Sequence, residues 1–430
     1  MATRAPLTEA EKQYIYQRRQ GGTSLKQIAR ELDCSWETAR KWWRCLRDGT
    51  RPRPRGRPST GILSTYPHSV REMAVVIKRA HPHWGPANVG LELELQLGLE
   101  TDDLPSQARL SALFKVECPE AVQPRRRGFY PERRPLSVTH PHQRWQVDGK
   151  EKVPVGDKDV VTILEVRDPV GALMIAAQAF VTTTAKGWRK LTLQEVQHTL
   201  RRAFEEWGLP LEIQTDREQV YIGAPQSPFP SLFTLWLKGL GIEHLVSRER
   251  RPTDQAHVER NHRTLGDMAW KDQDFDQVEQ MQKVLDDRRH RHNHELPIHA
   301  ADCKGEPPLA LRPWARHSGR PFHSVLEWRL FNLQRVDAYL AQHVWTRPVT
   351  HHGEVEIGRH RYQVGSAHAK QTVSVRFIPA TRTFRFESSD GPLIAERPAI
   401  GLDKAHIVGA LPIDQPLPYG FQLGLPLEGV

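Results

Sequence analysis

Between residues 140 and 265 the chain changes element type in an order that few folds can accommodate. "HQRWQVDGKEKV", "DVVTILEV" and "ALMIAAQAF" have strand character, and the turn sequence "RDPVG" joins the last two. "AKGWRKLTLQEVQHTLRRAFEEWG" reads as one long helix ended by Gly208, and "LEIQTD" as a short strand stopping at Asp216. A helix around "SLFTLWLKGLG", a strand "IEHLVS" and a helix opening after Pro252 complete the series. That last helix carries "AHVERNHRTL", where a single acid, Glu259, stands among Arg260, His262 and Arg263. Taken alone, Glu259 reads as one charge on a solvated face.

Three strands, then helix, strand, helix, strand, helix is the ribonuclease H-like arrangement, in which the first and fourth strands lie side by side. The order makes Asp148, within the first strand, a neighbour of Asp216, at the end of the fourth. Glu259, about two turns into the last helix, can face both. Three converging carboxylates suit hard divalent cations. Mg2+, with Mn2+ able to substitute, takes oxygen ligands, and two ions ~3.5 to 4 Å apart activate one oxygen and stabilise the leaving one. Asp148, Asp216 and Glu259 are therefore the predicted catalytic and metal-binding set, with two ions per site and no organic cofactor. Glu151, Asp157, Asp159, Glu165 and Asp168 surround the strands and are expected as solvated strand and turn residues. Asp254, near the start of the helix, suits the helix dipole. Lys150 and Lys186 are candidates for phosphate contact, and Arg260 and Arg263 for holding DNA.

A negative cluster stands out in a chain whose net charge is +10 and whose pI is near 9.5. Such an excess predicts a polyanionic partner, because Lys and Arg that neutralise phosphates release condensed counterions. Nucleic acid is favoured over membrane. No basic amphipathic helix with a bulky apolar face stands out, and no run approaches the ~18 to 20 apolar residues of a membrane span. "MATRAPLTEAEKQ" contains no apolar signal region. Cys34, Cys45, Cys118 and Cys303 are scattered without a CxxC pair, which argues against a disulfide framework or zinc ribbon and fits a reducing cytoplasm.

The first 49 residues read as a helix-turn-helix domain. Thr8 and Glu11 make a capping box for a first helix, Ser24 and Gln27 repeat it for a second, and Ser35 caps a third through about Arg47. The third helix offers Trp36, Glu37, Arg40, Lys41 and Arg44 to a major groove. Residues 50–62 form a basic linker. Its centre, Pro54-Arg55-Gly56-Arg57-Pro58, is similar to an AT-hook core, which assigns Arg53, Arg55, Gly56 and Arg57 to a narrow minor groove. Residues 63–120 read as a second, winged helix-turn-helix with Ser106, Gln107 and Arg109 at its last helix, and 121–139 as another basic linker. After the catalytic region, 140–275, a helical connector is expected over 276–335. Alternating short strands over 336–400 suggest a small antiparallel barrel carrying Arg359, Arg361, Arg376, Arg382 and Arg385. The tail, 401–430, is Pro- and Leu-rich.

These motifs together resemble the bacterial insertion-sequence transposases with a retroviral-integrase-like DDE core. The resemblance rests on "WQVDGKEK", "IQTDRE" and "PTDQAHVERNHRTL", and extends to "RHRHNHELPIHA" with its Asn-x-x-x-Pro-His spacing. It implies a multidomain protein: tandem all-α helix-turn-helix units, an α/β ribonuclease H-like core and an SH3-like all-β barrel. It implies binding to terminal inverted repeats of double-stranded DNA, 3′-end cleavage and strand transfer by a homo-oligomer, dimer or tetramer, at the bacterial nucleoid. Any accessory ATPase is left open. Two departures concern the second motif: "TDREQ" replaces the usual Asn-Gly after the Asp, and the interval to Glu259 is long, with "YIGAPQSPFPS" as the insertion. A metal-dependent nuclease of the same fold and a non-catalytic DNA-binding regulator are the alternatives. The retention of all three acids argues against the regulator.

Overall fold

The computed structural model describes residues 7–47, 49, 61–99, 103–122, 138–223, 229–248, 256–299, 303–388 and 391–409. It divides into two compact units, 1–71 and 72–430. The linker residues Arg53, Arg55, Gly56 and Arg57, together with Asp254 and part of the insertion after Gly223, lie outside the described residues.

The first unit holds α1 (Glu9–Gln20), α2 (Leu25–Glu31) and α3 (Trp36–Arg47). The Thr8 capping box forms as the sequence implies: the Glu11 N–H donates to Thr8 Oγ1 and the Thr8 N–H to Glu11 Oε2. Ser24 accepts from the Gln27 N–H and Ser35 from the Thr38 N–H, which starts α2 and α3. Leu7, Ile15 and Ile28 form the small core, with Trp42 and Trp43 packed against it. Trp36, Arg40, Lys41 and Arg44 are left exposed along α3.

The division falls within α4 (His68–Ala80), and the second unit continues with α5 (Pro86–Leu97) and α6 (Gln107–Glu117). Val89, Leu93, Leu110, Leu113 and Phe114 are buried, while Ser106, Gln107 and Arg109 sit exposed at the start of α6. Among the described residues this region contains no strand, so the expected wing has nothing there to form it.

The central region begins with β1 (Arg144–Val155), β2 (Asp159–Asp168) and β3 (Leu173–Val181), an antiparallel meander. A ribbon of two-residue strands, β4 (Thr183–Thr184) and β5 (Gly187–Trp188), leads to α7 (Leu193–Trp207). The long helix expected from Ala185 thus starts eight residues late. Thr192 and Glu195 form a capping box that sets its true start, and "AKGWRK" serves the ribbon instead. β6 (Glu212–Thr215), α8 (Gln219–Ile222), α9 (Leu232–Gly239), β7 (Glu243–Val246), α10 (Ala256–Ala269) and α11 (Val278–His294) follow.

The strand order is β3-β2-β1-β6-β7, with β6 and β7 parallel to β1, which is the ribonuclease H-like order. Side chains alternate across this sheet. Trp145, Val147, Leu164 and Val166 join Leu200, Phe204 and Trp236 of α7 and α9 in one core layer. Val161 and Ile163, with Val153 and Val155 beyond a β-bulge in β1, meet Leu265, Met281 and Leu285 of α10 and α11 in the other. Each fully buried side chain of this kind contributes roughly 1.5–3 kcal/mol, so both faces are strongly held. Helix α11 is accordingly part of the core and not a connector. Its Asn293 donates to Met174 O and accepts from the Met174 N–H, both at 2.9 Å, and so pairs with edge strand β3.

Short helices α12 (Pro308–Leu311), α13 (Glu327–Leu330) and α14 (Leu333–Ala341) precede the C-terminal strands. These are β8 (Val344–Pro348), β9 (Glu354–Ile357), β10 (His360–Gln363), β11 (Thr372–Ile378), β12 (Thr383–Ser388) and β13 (Leu393–Pro398), and α15 (Lys404–Val408) closes the described chain. They hydrogen-bond as a four-stranded antiparallel sheet, β13-β12-β11-β8, and a separate β9–β10 ribbon, not as one closed ring. Val355, Tyr362, Phe384 and Phe386 join the two in one core. No helix among the described residues is long and apolar enough to cross a membrane.

Candidate active site

Strands β1 and β6 are parallel neighbours with Gln146 opposite Gln214, and the Gln146 Nε2 donates to Gln214 Oε1 at 3.1 Å. Asp148 and Asp216 each stand two residues further on. They therefore share the face and the strand end of that glutamine pair. Burial drives the Asp216 carboxyl up to about 6; a hydrogen bond from the Glu218 N–H opposes this, and the charges of Glu218 and Asp148 add to it. The two aspartates are close enough to feel each other. Tyr221 is buried beside them, and its hydroxyl is raised well above its usual range by burial and then by Asp148 and Asp216.

On the other side of β1, Asp148 pairs in register with Glu165 of β2, so a row of carboxylates runs Glu165, Asp148, Asp216 across three adjacent strands. Glu165 corrects the expectation of a solvated residue: it is 0% exposed, under α10. Asp168 is likewise fully buried. It accepts from the N–H groups of His142, Val170 and Gly171, which shapes the turn into β3. Both acids lie on β2, the inner strand of the meander, where helices cover both faces.

Helix α10 supplies the compensating charge. His262 Nε2 lies 3.0 Å from Asp148 Oδ2, and its Nδ1 makes an ion-pair contact of 2.8 Å with Glu165 Oε1. Burial opposes a charge on this imidazole, but Asp148 and Glu165 outweigh it and raise the pKa to about 10. Asn261 donates to Glu165 Oε2 and accepts from the buried Arg167, each at 2.5 Å. Burial lowers Arg167 to about 10, which leaves it protonated at neutral pH. A continuous polar chain thus runs Arg167, Asn261, Glu165, His262, Asp148. His262 sits three residues after Glu259, on the same helical face, and that spacing was the signal for it in the sequence.

Glu259 stands in the first turn of α10, exposed, one turn before His262. Among the described residues no hydrogen bond or ion pair engages it, and no three His, Cys, Asp or Glu side chains are arranged to hold a metal. The structure brings Asp148 and Asp216 together, while Glu259 makes no contact with either that is recorded among the described residues. Arg260 and Arg263 are exposed on the same helix, and Lys150 and Lys186 are exposed beyond Asp148 and at the ribbon turn. Lys190 bridges β1 and the turn after β6, 2.6 Å from Glu151 and 2.5 Å from Glu218. In the C-terminal strands, Arg361, Arg376 and Arg385 pair with Glu354, Glu387 and Glu396, and Arg382 binds Asp337 and Leu402 O, so these arginines already have partners within the fold.

No protein-family model matches the chain. Among solved structures it is similar to the HTLV-2 integrase catalytic core domain in complex with magnesium. The trimeric form matches at 14% identity over 40% of this chain and 95% of that one, with a TM-score of 0.28. The dimeric form matches at 15% identity over 41% and 96%, again at 0.28. A chain of the simian T-cell lymphotropic virus intasome, in complex with PP2A regulatory subunit B56 gamma, matches at 15% identity over 76% and 96%, with a TM-score of 0.32. At these scores the likeness carries no argument about the site, whose reading rests on strand order and side chains.

Proposed function

We propose that this chain is a metal-dependent polynucleotidyl transferase of the DDE type, a DNA transposase acting on the terminal repeats of a mobile element. The observation that carries the reading is the juxtaposition of Asp148, within β1, and Asp216, just past the end of the parallel neighbour β6, in a strongly basic chain. The donor set fits a hard cation. Both groups offer carboxylate oxygens, and Asp216, raised first by burial and then by the charges of Glu218 and Asp148, sits beside a second carboxylate as a cation ligand would. Asp148 and Asp216 would hold Mg2+ or Mn2+, with Glu259 as the third ligand once the first turn of α10 turns toward them. When bound, such ions polarise the scissile phosphate and lower the pKa of the attacking water or 3′-OH.

The chain's own residues do the rest. His262 holds Asp148 by one carboxylate oxygen, Oδ2, while the other, Oδ1, accepts the Gly149 N–H at 2.9 Å. Lys190 ties together the segments that follow both aspartates. The exposed cations Lys150, Lys186, Arg260 and Arg263 would bind the DNA backbone, and the exposed faces of α3 and α6 would choose the DNA site. Two ends must be joined, so a homo-oligomer on DNA is expected.

The test is strand cleavage and strand transfer on labelled terminal-repeat DNA with Mg2+ or Mn2+, comparing wild type with Glu259→Gln. Cleavage with transfer by the wild type, lost in the variant, is expected. Cleavage without transfer would mark a nuclease. DNA binding without cleavage would mark a regulator, and cleavage retained by Glu259→Gln would remove that residue from the site.

A further inference from the structure

The β4–β5 ribbon presents a side chain that nothing in the fold requires. Trp188 is 38% exposed, belongs to neither apolar core layer, and has no aromatic partner among the described residues. Its ring is flanked by cations instead: Lys152 Nζ lies 4.3 Å and Lys190 Nζ 5.6 Å from its centroid. Lys152 reaches it because the bulge in β1 turns the backbone into the left-handed region there, at φ 58°. Few residues accept that conformation without cost.

The residues that follow Trp188 are tied down on several sides. Arg189, beside Trp188, makes a double bond-pair with Glu195 at 2.8 and 2.7 Å, and its N–H donates to Thr182 O. Lys190 is held by Glu151, three residues past Asp148, and by Glu218, two past Asp216. The exposed ring is therefore clamped next to the candidate site, with Lys186 exposed at the same ribbon turn.

We propose that Trp188 stacks on an unpaired base at the end of the DNA strand held at Asp148 and Asp216, an inference that rests on the polynucleotidyl-transferase reading above. An exposed aromatic ring among lysines is the chemistry of single-strand recognition. The ring takes any base by its π-face, and the cations follow the phosphates on either side. A fully paired end offers no free base, so the ribbon distinguishes a frayed or overhanging end from a blunt one.

The experiment uses the full chain and a labelled duplex with a short single-stranded 5′ overhang containing 2-aminopurine, beside its blunt counterpart. Wild type is expected to quench the 2-aminopurine at saturation and to bind the overhang duplex about tenfold more tightly than the blunt one. Trp188→Ala should lose both effects while binding the blunt duplex as wild type does, and Trp188→Phe should keep most of each. Equal quenching by Trp188→Ala and wild type, or no overhang preference in wild type, overturns the inference. Cleavage of the same duplexes is followed in parallel. Absent cleavage with intact Trp188-dependent quenching sinks the transferase reading alone, and cleavage with Trp188-independent quenching sinks the base site alone.

Discussion

Replacing His262 with Gln removes the one cation that, among the described residues, contacts both Asp148 and Glu165. Its side chain is 12% exposed and that of Glu165 is 0% exposed, so neither charge is well served by water. Breaking a buried pair from one side costs about 3–5 kcal/mol. The raised imidazole gives a second route to the size: a shift from 6.5 to about 10 corresponds to roughly 4–5 kcal/mol of preference for the charged form. Because Gln can still donate one hydrogen bond, the loss should fall near the lower figure, about 3 kcal/mol. At ~2–4 °C per kcal/mol for a core of this size, the melting temperature should drop by roughly 6–12 °C.

The pH dependence gives the sharper test. The folded pKa lies above the unfolded one, so the stabilisation is complete below about pH 6.5 and is lost as pH rises through about 10. Wild-type melts should therefore fall between pH 7 and 10, and His262→Gln should flatten that slope. Catalysis should fall too, on the order of 10- to 100-fold, as when a group orienting a metal ligand is removed. An unchanged alkaline slope in His262→Gln would refute the reasoning, whatever its melting temperature.

Asp216→Asn should raise the melting temperature of metal-free protein by roughly 2–4 °C at neutral pH, equivalent to ~1 kcal/mol after solvent screening. The carboxyl's folded pKa of about 6 is above its unfolded value, so the gap between the two proteins should open as pH rises from 4 through 6. Glu327→Ala should cost about 3–5 kcal/mol in a denaturant melt, because that fully buried carboxylate holds Arg201 at 2.6 and 3.1 Å and the Trp236 indole at 2.6 Å. His244, bracketed by the Thr215 and Thr234 hydroxyls, is pushed down to about 4 by burial and then by Lys238. Its contribution should be present above about pH 6.5 and lost as pH falls through 4, up to about 3 kcal/mol, and His244→Gln should flatten that acid limb of the melt.

The strand order and the meeting of Asp148 with Asp216 were legible in the sequence, because a change of hydrophobic period marks each element and topology then dictates the neighbours. The start of α7 was misread, since "AKGWRK" lies flush with a helix pattern and only the Thr192 capping box separates them. The acidity of Glu165 and Asp168 suggests solvent, but their position on β2 decides otherwise. On an inner strand with both faces covered, a carboxylate must be buried and must find donors. Glu165 finds its partners on α10, almost a hundred residues away in the chain, where no local pattern names them, while Asp168 is satisfied by the N–H groups of His142, Val170 and Gly171. Glu259 is the inverse case: it stands exposed in the first turn of α10, and no hydrogen bond or ion pair among the described residues joins it to the aspartates. The acidic partners of the C-terminal arginines sit on neighbouring strands for Arg361, Arg376 and Arg385 and on α14 for Arg382, where no local pattern names them.

The account stands on Asp148 and Asp216 forming one divalent-cation site. Titration of Mn2+ into the metal-free full chain, followed by calorimetry or by the electron paramagnetic resonance of free Mn2+, tests this directly. Wild type should take up Mn2+ in competition with Mg2+, Asp148→Asn and Asp216→Asn should each abolish that uptake, and Glu259→Gln should weaken it. Equal Mn2+ binding by wild type and Asp216→Asn would contradict the account.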